Sequence, residues 1–282
     1  MEKQIRKMYS TKELMPGLFS ISSCAVKCFL IVGKTGAMLV DTSYGFEDIS
    51  QVVRSITSLP VTVVNSHGHM DHSGGNFFFD TPTYIHEADV PVYQLHNTPW
   101  MHRYMEKTLT VFQKIVFWRN ILPKDPERND EKRASFSNFR YMKEGDSFDL
   151  GGITARIIEI PGHTMGSIAV YLPEKRLVIT SDGANTGTWL LLPESANLST
   201  YLQSLRKLEK LDVDYILTGH VNTLFPKSAL QEWIKVAEHP DIANSKEEKG
   251  GDFAPGVKPI RVWAVGDTKK KGPSILIDPE KL

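Results

Sequence analysis

The chain has 282 residues with 33 basic and 33 acidic side chains, a formal net charge of zero. That balance removes the electrostatic case for a nucleic-acid or membrane-surface partner. Apolar residues make up 41%, ordinary for a soluble globular protein, and a chain this long buries a core large enough to need no disulfide or metal staple.

The opening residues MEKQIRKMYSTKELM carry charges but lack the apolar stretch of a signal peptide. No apolar run reaches the ~18–20 residues of a membrane span. The expectation is a soluble cytoplasmic protein. Cys24 and Cys28 fall in the apolar run Leu18 to Val32. If that run is one strand, they lie ~13 Å apart on the same face, beyond the ~7 Å that a disulfide allows. Buried thiols in a reducing compartment are therefore expected.

The chain then reads as though written twice. FLIVGKTGAMLVDT, residues 29–42, is a hairpin signal around Gly33-Lys34-Thr35-Gly36, ending on Asp41. A helical pattern follows (Phe46, Ile49, Val52, Val53, Ile56), then the strand VTVVN and His67. SIAVYLPEKRLVITSD, residues 167–182, repeats the hairpin and ends on Asp182. It too is followed by a helical pattern (Leu198, Tyr201, Leu202, Leu205, Leu208), a strand DYILT and a histidine, His220. Both halves deliver an Asp and a His at C-terminal strand ends, the edge where α/β sheets gather catalytic groups. The fold class predicted is α/β, a four-layer αβ/βα sandwich forming one domain over 1–282.

The most informative stretch is Asn65-Ser66-His67-Gly68-His69-Met70-Asp71-His72, read as a tight loop after a strand. Three of the nine histidines and a carboxylate occupy six positions, and burying them all as unpaired core groups would cost several kcal/mol. A single open metal site needs about three protein ligands, so this loop, with distant partners, has donors for two ions. Further donors stand at later strand ends: His163 in PGHTMGS, Asp182 in TSDG and His220 in TGH.

In the order HxHxDH, then His, Asp and His, these residues resemble the metallo-β-lactamase superfamily, with a glyoxalase II-like ligand set, over about residues 15–225. The resemblance implies that His67, His69 and His163 hold one ion, that Asp71, His72 and His220 hold a second, and that Asp182 bridges them. It implies a dinuclear hydrolase using a hydroxide held between two divalent ions, zinc being the ion expected, with Fe or Mn also suited to such donors. Asp71 would also orient the nucleophile and relay its proton. Ser66 and Thr164 flank ligands, either orienting them or shaping turns. Asp41 has two readings as well, a support for the ligand loop or a cap for the helix over 46–57.

The substrate is less legible. A small-molecule ester, thioester, lactone or lactam is expected. A mononuclear iron sulfur dioxygenase, a phosphodiesterase and a binding protein with a degenerate site are the alternatives. The family's homoserine-lactone lactonases carry Tyr three residues after the bridging Asp, where this chain has Asn185. Residues 97–140 hold Trp100, His102, Tyr104, Phe112, Phe117 and Trp118, followed by PKDPERNDEKR. Segments this long are often lids, and these aromatics either line a pocket or pack an amphipathic helix on the sheet. Trp100, Tyr104, Asn185 and Trp189 are candidate substrate contacts. His86, His96, His102 and His239 read as surface or structural groups. Residues 229–236 form the one clear helical pattern after His220, and a β-hairpin is expected over 255–282. The implied partner is a small molecule, with no nucleic acid and no membrane, and a homo-oligomer is compatible.

Overall fold

The structure is a computed structural model describing residues 9–23, 25–105, 107, 127–249, 254–267, 270 and 272–282. It divides into two compact units. One comprises residues up to Met142 with 148–154 and 220–222, the other 143–147, 155–219 and 223–282.

The first unit is built on a seven-stranded sheet ordered along the chain. Its strands are β1 (Tyr9–Met15), β2 (Leu18–Ser23), β3 (Val26–Val32), β4 (Ala37–Val40), β5 (Val61–Val64), β6 (Thr83–His86) and β7 (Phe139–Met142). Strands β1 to β4 pair antiparallel, whereas β4 to β7 pair parallel. The run Leu18 to Val32 is thus a hairpin and not one strand: Ser23 pairs with Val26. Ser22 and Ser23 close β2, with Ser22 opposite Lys27. Cys28 is a buried free thiol, while Cys24 lies outside the described residues.

Helix α1 (Ile49–Ile56) connects β4 to β5 and buries Ile49, Ser50 and Val53. It starts three residues later than the apolar pattern suggested, because Asp48 is its cap: Oδ1 accepts from Ser50 N at 2.9 Å. The helix therefore does not need Asp41. Helices α2 (Met70–Ser73), α3 (Val90–His96) and α4 (Glu127–Ala134) also belong to this unit. Residues 99–105 are also helical.

The second unit repeats the hairpin–helix–strand order. Strands β8 (Ser147–Asp149), β9 (Thr154–Glu159), β10 (Ile168–Leu172), β11 (Leu177–Ser181), β13 (Tyr215–Thr218) and β14 (Phe225–Pro226) form a sheet ordered β14-β13-β11-β10-β9-β8. The division between the units passes through β8 and the start of β9. Strands β10 and β11 pair antiparallel across Pro173–Lys175, where Arg176 takes a left-handed conformation. Strands β11 and β13 then pair parallel, as β4 and β5 do. Helices α5 (Leu198–Glu209) and α6 (Ala229–Glu238) bury Tyr201, Leu205, Leu208, Trp233 and Ile234 in the core of this unit. A small third sheet joins β12 (Gly187–Leu190), β17 (Ser274–Ile277), β16 (Ile260–Val262) and β15 (Lys246–Glu247). Strands β16 and β17 pair antiparallel, but β17 also runs parallel to β12, which ties the end of the chain to the segment after Asp182.

Replacing Asp48 with Ala is expected to cost about 1 kcal/mol of stability through loss of the α1 cap. Urea unfolding should show a lower midpoint at unchanged slope, and an unaltered midpoint would refute the assignment of the cap.

Candidate metal centre

The ligand stretch of the first unit follows β5. It remains loop through His69 and then closes into the single helical turn α2, so Asp71 and His72 sit on a helical turn where a continuous loop was expected. Ser73 drives that closure, its hydroxyl donating to Gly68 O at 3.0 Å and His69 O at 2.8 Å. Glycine is required at 68, since a Cβ there would fall 2.6 Å from Asp89 O and 2.7 Å from Tyr93 N. The close approach lets Gly68 N donate to the Asp89 carboxylate at 2.7 Å.

Asp41 is the hub of this loop. It is fully buried and has φ of 68°, a conformation that costs a non-glycine residue of order 1–2 kcal/mol. Its Oδ1 accepts from Ser66 N at 2.7 Å. Its Oδ2 accepts from Ser66 Oγ at 2.8 Å and lies 2.8 Å from His72 Nδ1. Ser66 Oγ in turn lies 3.0 Å from His67 Nδ1. Because the serine proton goes to the carboxylate, its oxygen accepts from His67 Nδ1–H, and His72 Nδ1–H donates to Asp41 directly. One carboxylate thereby sets the tautomer of both rings and directs each Nε2 lone pair away from it. Ser66 thus orients the His67 ring. Thr164, whose Oγ1 lies 2.8 Å from Ser167 Oγ, shapes the turn after His163.

The neighbouring donors converge. The His67 and His69 rings meet edge to face at 4.7 Å, and His67 and His72 lie 4.3 Å apart. Asp71 Oδ2 stands 3.4 Å from His72 Nε2 and 3.9 Å from His220 Nε2. His220, brought back beside β3, donates from Nδ1 to Ala25 O at 2.7 Å, which leaves its Nε2 on the side of Asp71.

The second unit brings His163 and Asp182 together, with His163 Nε2 3.9 Å from Asp182 Oδ2. The same orienting logic recurs: His163 Nδ1 donates to Trp189 O at 2.9 Å. The His163 carbonyl accepts from Ser195 Oγ at 2.7 Å, and Lys281 Nζ donates to Ser195 O at 2.7 Å. Asp182 follows Ser181, whose φ is 48°.

The other candidates divide. Trp100 is exposed and stacks on Tyr104 with centroids 5.6 Å apart. Trp189 is 40% exposed while its carbonyl holds His163. The Asn185 side chain is engaged in its own turn, with Oδ1 accepting from Gly187 N at 2.6 Å. Phe112, Phe117 and Trp118 lie outside the described residues. His86 caps a turn, accepting from Ala88 N, and His239 ends α6. His96 is buried with its ring 4.4 Å from His69, a placement its sequence position did not signal. Asp89 and Asn97 also support the loop, and short polar residues beside α3 give no periodic sign of it.

The superfamily profile described as metallo-beta-lactamase matches residues 22–220. The chain belongs to the metallo-beta-lactamase superfamily. The acyl-coenzyme A thioesterase MBLAC2 of Homo sapiens is 22% identical over 237 residues, covering 76% of this chain and 82% of that protein. The hydroxyacylglutathione hydrolase of Hyphomonas neptunium is 28% identical over 131 residues, 42% of this chain and 47% of that one. The metallo-beta-lactamase from Pontibacter korlensis superposes with a TM-score of 0.56 at 15% identity, covering 82% of this chain and 99% of that one, a likeness of fold. The α/β class and the family resemblance read from the sequence are thereby borne out. This is a superfamily of metal-using hydrolases, and the His and Asp groups of this chain fit divalent first-row ions: imidazoles with Nδ1 tied back, and carboxylates beside their Nε2 atoms. Among the described residues no helix is long and apolar enough to cross a membrane.

Asp41→Asn is expected to weaken zinc binding roughly 10- to 100-fold, since an amide cannot accept from Ser66 N, Ser66 Oγ and His72 Nδ1 as a carboxylate does. Competition with a chromophoric chelator measures this, and wild-type affinity in the folded variant would disprove the role of the hub.

Proposed function

We propose that the chain is a dinuclear metallo-hydrolase acting on a small-molecule thioester. The observation that carries the reading is the paired orientation of His67 and His72 through Ser66 and Asp41, with Asp71 and His220 beside them. Such an investment in imidazole tautomers has its use in metal ligation. In this reading His67, His69 and His163 would hold one ion and Asp71, His72 and His220 a second, with Asp182 a donor to both. Zinc suits the donor set best, with iron or manganese as close competitors.

When bound, such ions supply a Lewis acid for the substrate carbonyl and a water that ionises near neutral pH. The chain does the rest. Asp71, with a carboxylate only partly buried, orients the attacking water and holds its proton on a carboxylate oxygen. Ser66 and Asp41 keep the His67 and His72 rings from turning as charge develops, and Trp189 O and Ala25 O do the same for His163 and His220. A thiol has an ordinary pKa near ~8.5, so a thiolate departs without a general acid. The exposed indole of Trp189 and the Trp100–Tyr104 stack offer apolar surface for an acyl group.

The thioester class draws its support from relatives named for acyl-coenzyme A and hydroxyacylglutathione. The balanced charge of the chain favours a small molecule over a polyanion. The buried free thiol of Cys28 agrees with a reducing, cytoplasmic setting.

Zinc-loaded protein is expected to hydrolyse acyl-coenzyme A or acylglutathione substrates faster than p-nitrophenyl esters, lactones or phosphodiesters. A chelator should abolish turnover and added zinc restore it. Asp182→Ala should lower kcat/KM by roughly 100-fold or more. Thioester hydrolysis at full rate by metal-free protein would sink the proposal, and preference for another substrate in the panel would sink its thioester part.

A further inference from the structure

We infer that Arg133 is a positioning residue for the ligand loop, holding the Asp41–Gly45 turn against the His72–Gly75 turn so that Asp41 stays on the His72 ring. This rests on the metal-binding reading above. Arg133 stands on α4, some sixty residues after the ligand loop, and heads the wholly buried side chains by volume among the described residues. A guanidinium taken out of water costs several kcal/mol unless its donors are met, and here they are met by those two turns. Its Nε donates to Gly74 O at 3.0 Å and its Nη2 to Gly45 O at 2.9 Å. Its Nη1 donates to Asp130 Oδ1 at 3.2 Å, and its face lies 5.5 Å from the Phe77 ring centroid.

The two carbonyls belong to turns in direct backbone contact. A Cβ on Gly45 would fall 2.0 Å from Gly74 O, and one on Gly74 would fall 2.4 Å from Tyr44 O. The first turn contains Asp41 and Ser43, both at positive φ, and Gly45 at φ of 71°. The second ends the helical turn that carries Asp71 and His72. Thr42 adds local ties, its N donating to His72 O at 2.7 Å and its Oγ1 accepting from Gly75 N at 3.2 Å. Arg133 spans both turns at once with a planar fork, which the single ammonium of a lysine does not reproduce.

Arg133 is itself aimed. Tyr93 Oη donates to Arg133 O at 2.8 Å, fixing α4 to the helix that also carries His96. The His102 ring lies against the Asp130 carboxylate. Burial, with Arg133 and Arg103 nearby, pushes the His102 imidazole down to about 3.

Zinc titrations in competition with a chromophoric chelator test the inference, run on wild type, R133K and Y93F, with urea unfolding of each alongside. H220A serves as the reference that identifies the binding step of the Asp71, His72 and His220 ion. Wild type should take up two ions. R133K should bind the ion identified by H220A roughly tenfold or more weakly, the other step, which meets Asp41 only through Ser66 and His67, should weaken by less, and Y93F should move the first of these steps by less than R133K does. Unchanged steps in folded R133K overturn the inference. So does loss of both steps in proportion to lost stability, which is what a merely structural role would produce. Should R133K not fold, Y93F carries the comparison: selective weakening supports the inference and no change overturns it. A wild-type chain that takes up no zinc overturns the proposed function, and this inference falls with it.

Discussion

A buried carboxylate with several donors aimed at it is the constraint on which the ligand loop depends. Asp41 is withdrawn from water, and an ionised carboxylate so placed is tolerated only when charge-assisted hydrogen bonds replace its hydration. Ser66 N, Ser66 Oγ and His72 Nδ1 supply them. Satisfying Asp41 and orienting the histidines are therefore one event: the groups that compensate the carboxylate are the groups that fix the His67 and His72 rings. The backbone pays with a left-handed conformation at Asp41 and again at Ser43, strain of the kind that persists where surroundings over-determine it.

The two units use one topological device for different ends. In each, an antiparallel hairpin leads to an aspartate at the end of its second strand, and a helix returns the chain to a parallel neighbour. Asp41 and Asp182 stand at comparable points, each with a positive φ at hand, on Asp41 itself and on Ser181 before Asp182. Their fates diverge with packing. Asp41 is sealed and works through other residues, whereas Asp182 keeps some exposure at 8% and faces His163. The repeat also carries a common rule for histidines: Nδ1 is given to a carboxylate, a hydroxyl or a carbonyl, and Nε2 is offered. His67, His72, His163 and His220 obey it with four different partners.

Much of this was legible in the chain. The hairpins around Gly33–Gly36 and Pro173–Lys175, the helices over 49–56 and 198–209 and the strands before His67 and His220 all follow from apolar period and turn residues, local signals by nature. The hairpin hidden in Leu18–Val32 was not, because no glycine, proline, asparagine or aspartate separates its arms. Asp41 stayed ambiguous because an aspartate before a helix is also a good cap, and only the placement of Asp48 in that role releases it. Arg133 sits in a charged run, Pro123 to Arg133, that reads as solvated surface; nothing local marks one of its cations as buried.

The sequence by itself determined the family, the α/β alternation and the seven candidate donors, because a strand end, a glycine and a ligand lie within a few residues of one another and their chemistry is carried by identity. Only the tertiary structure decided which nitrogen each imidazole offers, which aspartate is sealed and which keeps some exposure, and that a distant arginine spans two turns beside the candidate donors. Those outcomes depend on distances of about 3 Å between residues tens of positions apart, and hydrogen-bond energy falls off too steeply with distance and angle for spacing along a chain to encode it.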